Sequence, residues 1–216
     1  MATQADAEQT PAGIETPTPE PLETFTALEG QALIERYRMG LDLADPRAFQ
    51  LSHEDADRTF QPDQGLGTWS CRSLMNHLAD ADLVNAMRIR RTLVEDGPVL
   101  DGWDHEAFNA SPLYGTGPGS IKAPLGVLAA SIYTNRQMIG AILYQLDPPQ
   151  WSRRALHPRV GEMTLHTLIA FNAWHIEHHL TYLNAKVLAM LGPRPKDEPC
   201  DDMPAGGCGE GCGCAH

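Results

Sequence analysis

The chain has 216 residues, 42% of them hydrophobic, and a formal net charge of -12. That length fits one domain with tails, and that composition allows a compact core. The acidic balance argues against a nucleic-acid partner, which needs a basic face, and no apolar run reaches the roughly 18 residues that a membrane span requires.

The first residues, MATQADAEQTPAGIETPTPEP, lack the basic and apolar regions of a secretory signal, so a cytoplasmic location is the expectation. Residues 1–27 carry -5 of the charge and residues 193–216 carry -3, which leaves -4 for the middle. The N-terminal stretch is rich in Pro, Thr, Ala and Glu and is expected to be disordered through residue 27.

Helical spacing of Leu33, Tyr37, Leu41 and Ala44 predicts a first helix over residues 28–44, ended by Asp45-Pro46. Ser70 is a good N-cap for a second helix reaching residue 95, with Leu74, His77, Ala81, Val84 and Arg88 on one stripe. Cys71 reads as a core or first-turn residue. The basic run Arg88-Ile89-Arg90-Arg91 reads as solvated surface or intramolecular ion pairs, as does Arg153-Arg154. A third helix is expected over residues 123–146, with Pro124 in its first turn. A fourth is expected over residues 164–191, stopped by Gly192-Pro193. The links at 96–122 and 147–163 show no strand pattern of any strength. Four long helices and one long crossover predict an all-α four-helix bundle over residues 28–192.

His175 and His179 stand about 40° apart on the fourth helix and present two imidazoles on one face. Leu168, Phe171 and Tyr182 share that face, so it is expected to point inward as a metal clamp. His178 is a substitute ligand of lower rank. Glu177 points away from His175, so this is not the HExxH arrangement, and a surface role is expected for it. His77, mid-helix on its own apolar stripe, is the candidate third ligand. Three neutral histidines leave a coordination position open on zinc or a similar ion, which marks a catalytic centre more than a structural one. Metal there would lower the pKa of bound water to about 7 or stabilise a bound thiolate. Asp80, one turn beyond His77, is a candidate to orient a histidine N–H, with an interhelical ion pair as the equal alternative. Asp104 and Arg88 are weaker candidates for lining the pocket.

Four of the five cysteines, Cys200, Cys208, Cys212 and Cys214, lie in the last 17 residues, which is a mobile tail and not a disulfide framework. Cys208, Cys212 and Cys214, with His216 beside them, form a possible secondary site for a soft metal. Cys200 is not assigned.

The run HLADADLVNAMRIRRTLVEDGPVLDGWDHEAF, the run LHPRVGEMTLHTLIAFNAWHIEHHLTYL and the Gly67-Thr68-Trp69-Ser70 helix start resemble the DinB/YfiT-like family of metal-dependent hydrolases over about residues 28–190. The resemblance implies an up-down-down-up bundle, a homodimer, and a divalent metal, commonly zinc or nickel, on His77, His175 and His179. It also implies a small-molecule substrate, handled either by a hydrolase or by a transferase of a low-molecular-weight thiol. The N-terminal extension and the cysteine tail depart from the family pattern. A non-catalytic protein that buffers metal through bundle and tail is the alternative, and a plain helical dimer with merely packing histidines is a third.

Overall fold

A computed structural model describes residues 16–115 and 119–194. Its helices are α1 (Leu22–Thr26), α2 (Gly30–Met39), α3 (His53–Asp57), α4 (Cys71–Val94), α5 (His105–Ala110), α6 (Leu125–Leu143), α7 (Pro148–Trp151) and α8 (Leu165–Leu191). Two short strands, β1 (Arg154–His157) and β2 (Gly161–Thr164), pair antiparallel between α7 and α8. Among the described residues no helix is long and apolar enough to cross a membrane.

The four bundle helices are α2, α4, α6 and α8, and local chemistry sets their ends. The Ser70 hydroxyl accepts from the Ser73 amide at 3.1 Å and starts α4, and the Thr164 hydroxyl does the same for Thr167 and α8. Gly192, at φ +71°, ends α8. The first helix is shorter than expected, because Gly40–Leu43 tightens into a 3-10 turn. Pro124 stands just before α6, not inside its first turn.

Cross-bundle contacts give the topology. Along α2 and α8, Leu28 meets His166, Arg36 meets Glu177 and Asp45 meets Asn184, so the two run parallel. Along α4 and α6, Arg72 meets Ala123, Asp82 meets Arg136 and Arg90 meets Met138, so these are parallel too. Residue 66, just before α4, meets Lys186 near the end of α8, while Thr92 near the end of α4 meets Arg153 just before α8. α4 and α8 are therefore antiparallel, and the bundle is up-down-down-up.

Two apolar clusters fill it. One gathers Leu41, Leu74, Met75, Leu78, Ile132, Ile176, Leu180 and Leu183; the other gathers Phe25, Leu33, Tyr37, Ile89, Ile139, Leu143, Leu165 and Ile169. Each Leu or Ile buried this way contributes roughly 1.5–3 kcal/mol. A polar bracket also lies inside the bundle. The buried Arg136 guanidinium donates to Asp82 at 2.9 Å, to the Tyr37 carbonyl at 2.7 Å and to the Asn172 carbonyl at 3.0 Å. Asn135 donates to the second Asp82 oxygen at 3.1 Å. Every atom of this buried pair that needs a partner has one, which such pairs require.

Three expectations change. Residues 16–27 are not loose: Phe25 is fully buried and the Trp174 indole donates to the Glu20 carbonyl at 3.0 Å. The apolar Leu22 and Phe25 suffice to dock one short helix. The link at 147–163 holds a hairpin where no strand was expected. Glu177 is not a surface residue: both its oxygens accept from Arg36, at 2.8 and 2.7 Å, and its side chain is only 11% exposed. It does point away from His175, but α2 covers that side. Residues 1–15 and the tail cysteines Cys200, Cys208, Cys212 and Cys214 lie outside the described residues.

Candidate metal centre

α8 buries Ile169, Ala173, Ile176 and Leu180 along its central stripe. His175 and His179 stand at the edge of that stripe, on the side facing α4. There α4 presents His77, which is 4% exposed. His175 Nε2 lies 3.1 Å from His77 Nε2 and 3.2 Å from His179 Nε2. A tetrahedral zinc with Zn–N of about 2.0 Å separates its ligand atoms by about 3.3 Å. The three nitrogens therefore fit around one such ion with little movement, and among the described residues they form the one cluster of metal-ligating groups of this kind.

The protonation states suit a cation. Burial, with His105 nearby, pushes His77 down to about 4. Burial, with His77, His178 and His105, pushes His179 down to about 3. Burial and the two neighbouring rings hold His175 well below its ordinary value. All three are neutral at pH 7, which is the ligating form.

Aromatic rings fix the imidazoles. Trp103 stacks on His77 with centroids 5.3 Å apart, Trp69 lies edge-on to His77 at 5.1 Å, and Phe171 stacks on His175 at 5.8 Å. Trp103 and His105 come from the long link, which crosses in front of the site. Several bonds hold that link down. Leu100 N–H donates to the Leu156 carbonyl and Leu156 N–H to the Pro98 carbonyl, both at 2.9 Å, so the link lies along β1. Arg88 donates to the Asp101 carbonyl at 2.6 Å. The Tyr114 hydroxyl donates to Asp80 at 2.8 Å.

A pocket of about 320 Å³ opens before the triad. The three histidines line it with Trp69, Asn85, Arg88, Trp103, His105 and Phe171, and the hairpin turn His157, Pro158, Arg159 and Val160 closes the far side. The triad thus has one open face, toward solvent and toward any bound molecule.

Of the residues singled out in the sequence, His77, His175 and His179 come together and Arg88 lines the pocket. Asp80 does not reach a histidine, because its carboxylate is taken by Tyr114. His77 Nδ1 is consequently buried without a partner, a lack that costs about 1–3 kcal/mol for an ordinary buried donor. Asp104 caps α5, accepting from Ala107 N–H at 3.1 Å, and does not line the pocket. His178 packs at a tilt against Trp174 and Tyr182 and lines a neighbouring depression. Cys71 is buried, its thiol pushed up to about 12 by burial. Sequence reasoning missed Trp103 as a wall of the site, and also His105, His157 and Arg159. Two histidines inside the two irregular links were the available signal, but nothing local says that they meet His77.

A helical bundle with three histidines converging at the base of a pocket defines a class of metal-dependent protein. Residues 37–183 match the model of the DinB superfamily, more than half of the chain, and the chain belongs to that family. It is similar to two proteins of Oceanobacillus iheyensis named "Putative metal-dependent hydrolase". One is 25% identical over 62% of this chain and 70% of its own length, the other 24% identical over 62% and 72%. A Bacillus mycoides protein of the same name is 23% identical over 56% and 65%. Among solved structures, YfiT from Bacillus subtilis superposes with a TM-score of 0.60 at 19% identity, covering 84% of this chain and 96% of that one. It is described as a probable metal-dependent hydrolase with an unusual four-helix bundle topology. At that identity the likeness shows the fold alone.

Proposed function

We propose that this chain is a metal-dependent hydrolase in which His77, His175 and His179 hold one divalent cation and the pocket before them takes a small-molecule substrate. The observation that carries this reading is the convergence of three neutral imidazole nitrogens on one point with an open side. Zinc suits this donor set best and nickel second. When bound, such an ion supplies Lewis acidity, polarising a carbonyl or lowering the pKa of a coordinated water or thiol.

The rest falls to the chain's own residues. Trp103, Trp69 and Phe171 exclude bulk water from one side of the triad and hold its rings in place. The His105 ring, 5.6 Å from that of His77, reaches the same pocket. In this reading His105 takes the proton released as water attacks and returns it to the leaving group, directly or through one water. Among the described residues no carboxylate lines the pocket, so a histidine is the available base.

That same lack of a carboxylate favours a second reading, a transferase that binds a low-molecular-weight thiol. A thiol ionises more readily than water and needs less help from a base. A cytoplasmic location belongs to the proposal, and so does a homodimer, which rests on the family resemblance.

Elemental analysis of the wild type, of His175→Ala and of a chain ending at Gly192 tests the centre. About one metal per chain is expected to survive truncation and to disappear when His175→Ala is made in the truncated chain. Loss of all metal on truncation would overturn this reading and move attention to the Cys208, Cys212 and Cys214 tail as a metal buffer. Turnover that requires an added thiol would select the transferase.

A further inference from the structure

The pocket before the triad is charged on one side only. Arg88 rises from α4 into it and Arg159 stands exposed at the tip of the β1–β2 hairpin, while no Asp or Glu lines it among the described residues. Arg88 is not committed to a carboxylate. Its two terminal nitrogens donate to the Asp101 carbonyl and to Asn85 Oδ1, while the Asp101 carboxylate is paired with Arg91. Its Nε is buried without a partner, and so is Nε1 of Trp103 in the same wall. A guanidinium carries five N–H donors, so Arg88 retains unused ones.

His157 lines the same pocket and feels the charge of both arginines. Its Nδ1 accepts from the amides of Arg159 and Val160, at 3.2 and 3.4 Å, which leaves the ring proton on Nε2 as a further donor. Burial and then the charges of Arg88 and Arg159 hold this histidine below its ordinary value. The result is a set of donors beside an aromatic slot, of which Arg88 Nε and Trp103 Nε1 have no acceptor among the described residues. A planar anionic group is what a guanidinium fork matches best.

We propose that the substrate of this site is an anion with a flat apolar body, and that Arg88 and Arg159 grip its carboxylate or phosphate-like group while the aromatic slot holds the rest against the triad. This rests on the hydrolase reading for the word substrate, but the anion site stands or falls separately.

The test is a pair of probes of equal shape, benzoate and benzamide, titrated into the full-length chain with and without zinc. The indole N–H resonance of Trp103, identified with Trp103→Phe, reports binding. Benzoate is expected to bind at least about tenfold more tightly than benzamide in both forms, as a charge-assisted pair allows. Arg88→Gln and Arg159→Gln are each expected to cut that preference several-fold. Arg159 is exposed at a hairpin tip, so its variant separates loss of recognition from loss of fold. Four outcomes would overturn the proposal: equal binding of the two probes, binding of neither, a preference seen only with zinc present, or a preference unmoved by both variants. A chain that binds no zinc but keeps the benzoate preference would sink the hydrolase reading and leave the anion site standing.

Discussion

His77 links the candidate metal centre to stability through pH. Its folded value is about 4 against 6.5 for a free imidazole. The folded state therefore binds this proton less readily than the unfolded state. Stability from a neutral buried His77 is fully present above pH 6.5 and is lost as pH falls through the window down to about 4. From those two values, lowering the pH from 7.5 to 5.0 costs about 2 kcal/mol through this one group. For a domain of this size that is a fall in Tm of about 4–8 °C. The assay is thermal unfolding of metal-free wild type and His77→Gln at both pH values. Glutamine keeps polarity and bulk but does not titrate, so the variant should lose less on acidification by about the same 2 kcal/mol. Acid effects of groups remote from His77 are common to both proteins and cancel in the comparison, while His175 and His179, relieved of His77 in the variant, shift the difference in the same direction. An identical pH dependence in the two would refute the claim that this ring is held neutral by its surroundings.

Other perturbations test the frame. Asp82→Ala strands a buried guanidinium and should cost about 3–5 kcal/mol in urea unfolding; a loss under 1 kcal/mol would mean that Arg136 finds another way to water. A Cβ on Gly40 would sit 2.6 Å from Ile176 Cγ2, so Gly40→Ala should destabilise by about 1–3 kcal/mol as α2 is pushed off α8. Tyr114→Phe removes the one hydroxyl bonded to Asp80 and should cost about 1–3 kcal/mol, with faster amide exchange expected through residues 100–114. Unchanged exchange there would show that the Leu100–Leu156 backbone bonds and the Arg88–Asp101 bond suffice to hold the link.

The bundle was legible because its signals are short-range. Ser70, Thr164, Pro148 and Gly192 act on their own neighbours, and an apolar period of 3.6 needs only one helix to be seen. The triad was legible for a related reason: His175 and His179 share a face by spacing alone, and His77 sits on the stripe that must meet them. The hairpin was not. Its strands are four residues each and half-buried or exposed, with only Ala155 fully buried, so no alternation marks them. They are held instead by Val99 and Leu100, more than 50 residues earlier, lying against Leu156. Glu177 was misjudged because a helical wheel tells which way a side chain points but not what stands there; here it is Arg36.

The division follows the chemistry of the site. The floor that carries the three histidines stands on α4 and α8, whose register is fixed by two apolar clusters and the Arg136 bracket. The opposite wall of the pocket comes from the two links, through Trp103, His105, His157 and Arg159, and depends on a few backbone bonds between them. Changes in the hairpin turn at residues 157–160 should therefore alter what the pocket binds while leaving the imidazole nitrogens where they are. Replacing Arg159 and His157 together with glutamine makes this concrete: zinc content should stay near one per chain while the preference for an anionic probe falls. If zinc were lost along with that preference, floor and wall would be one structural unit, and the hairpin would have to be counted among the elements that hold the metal.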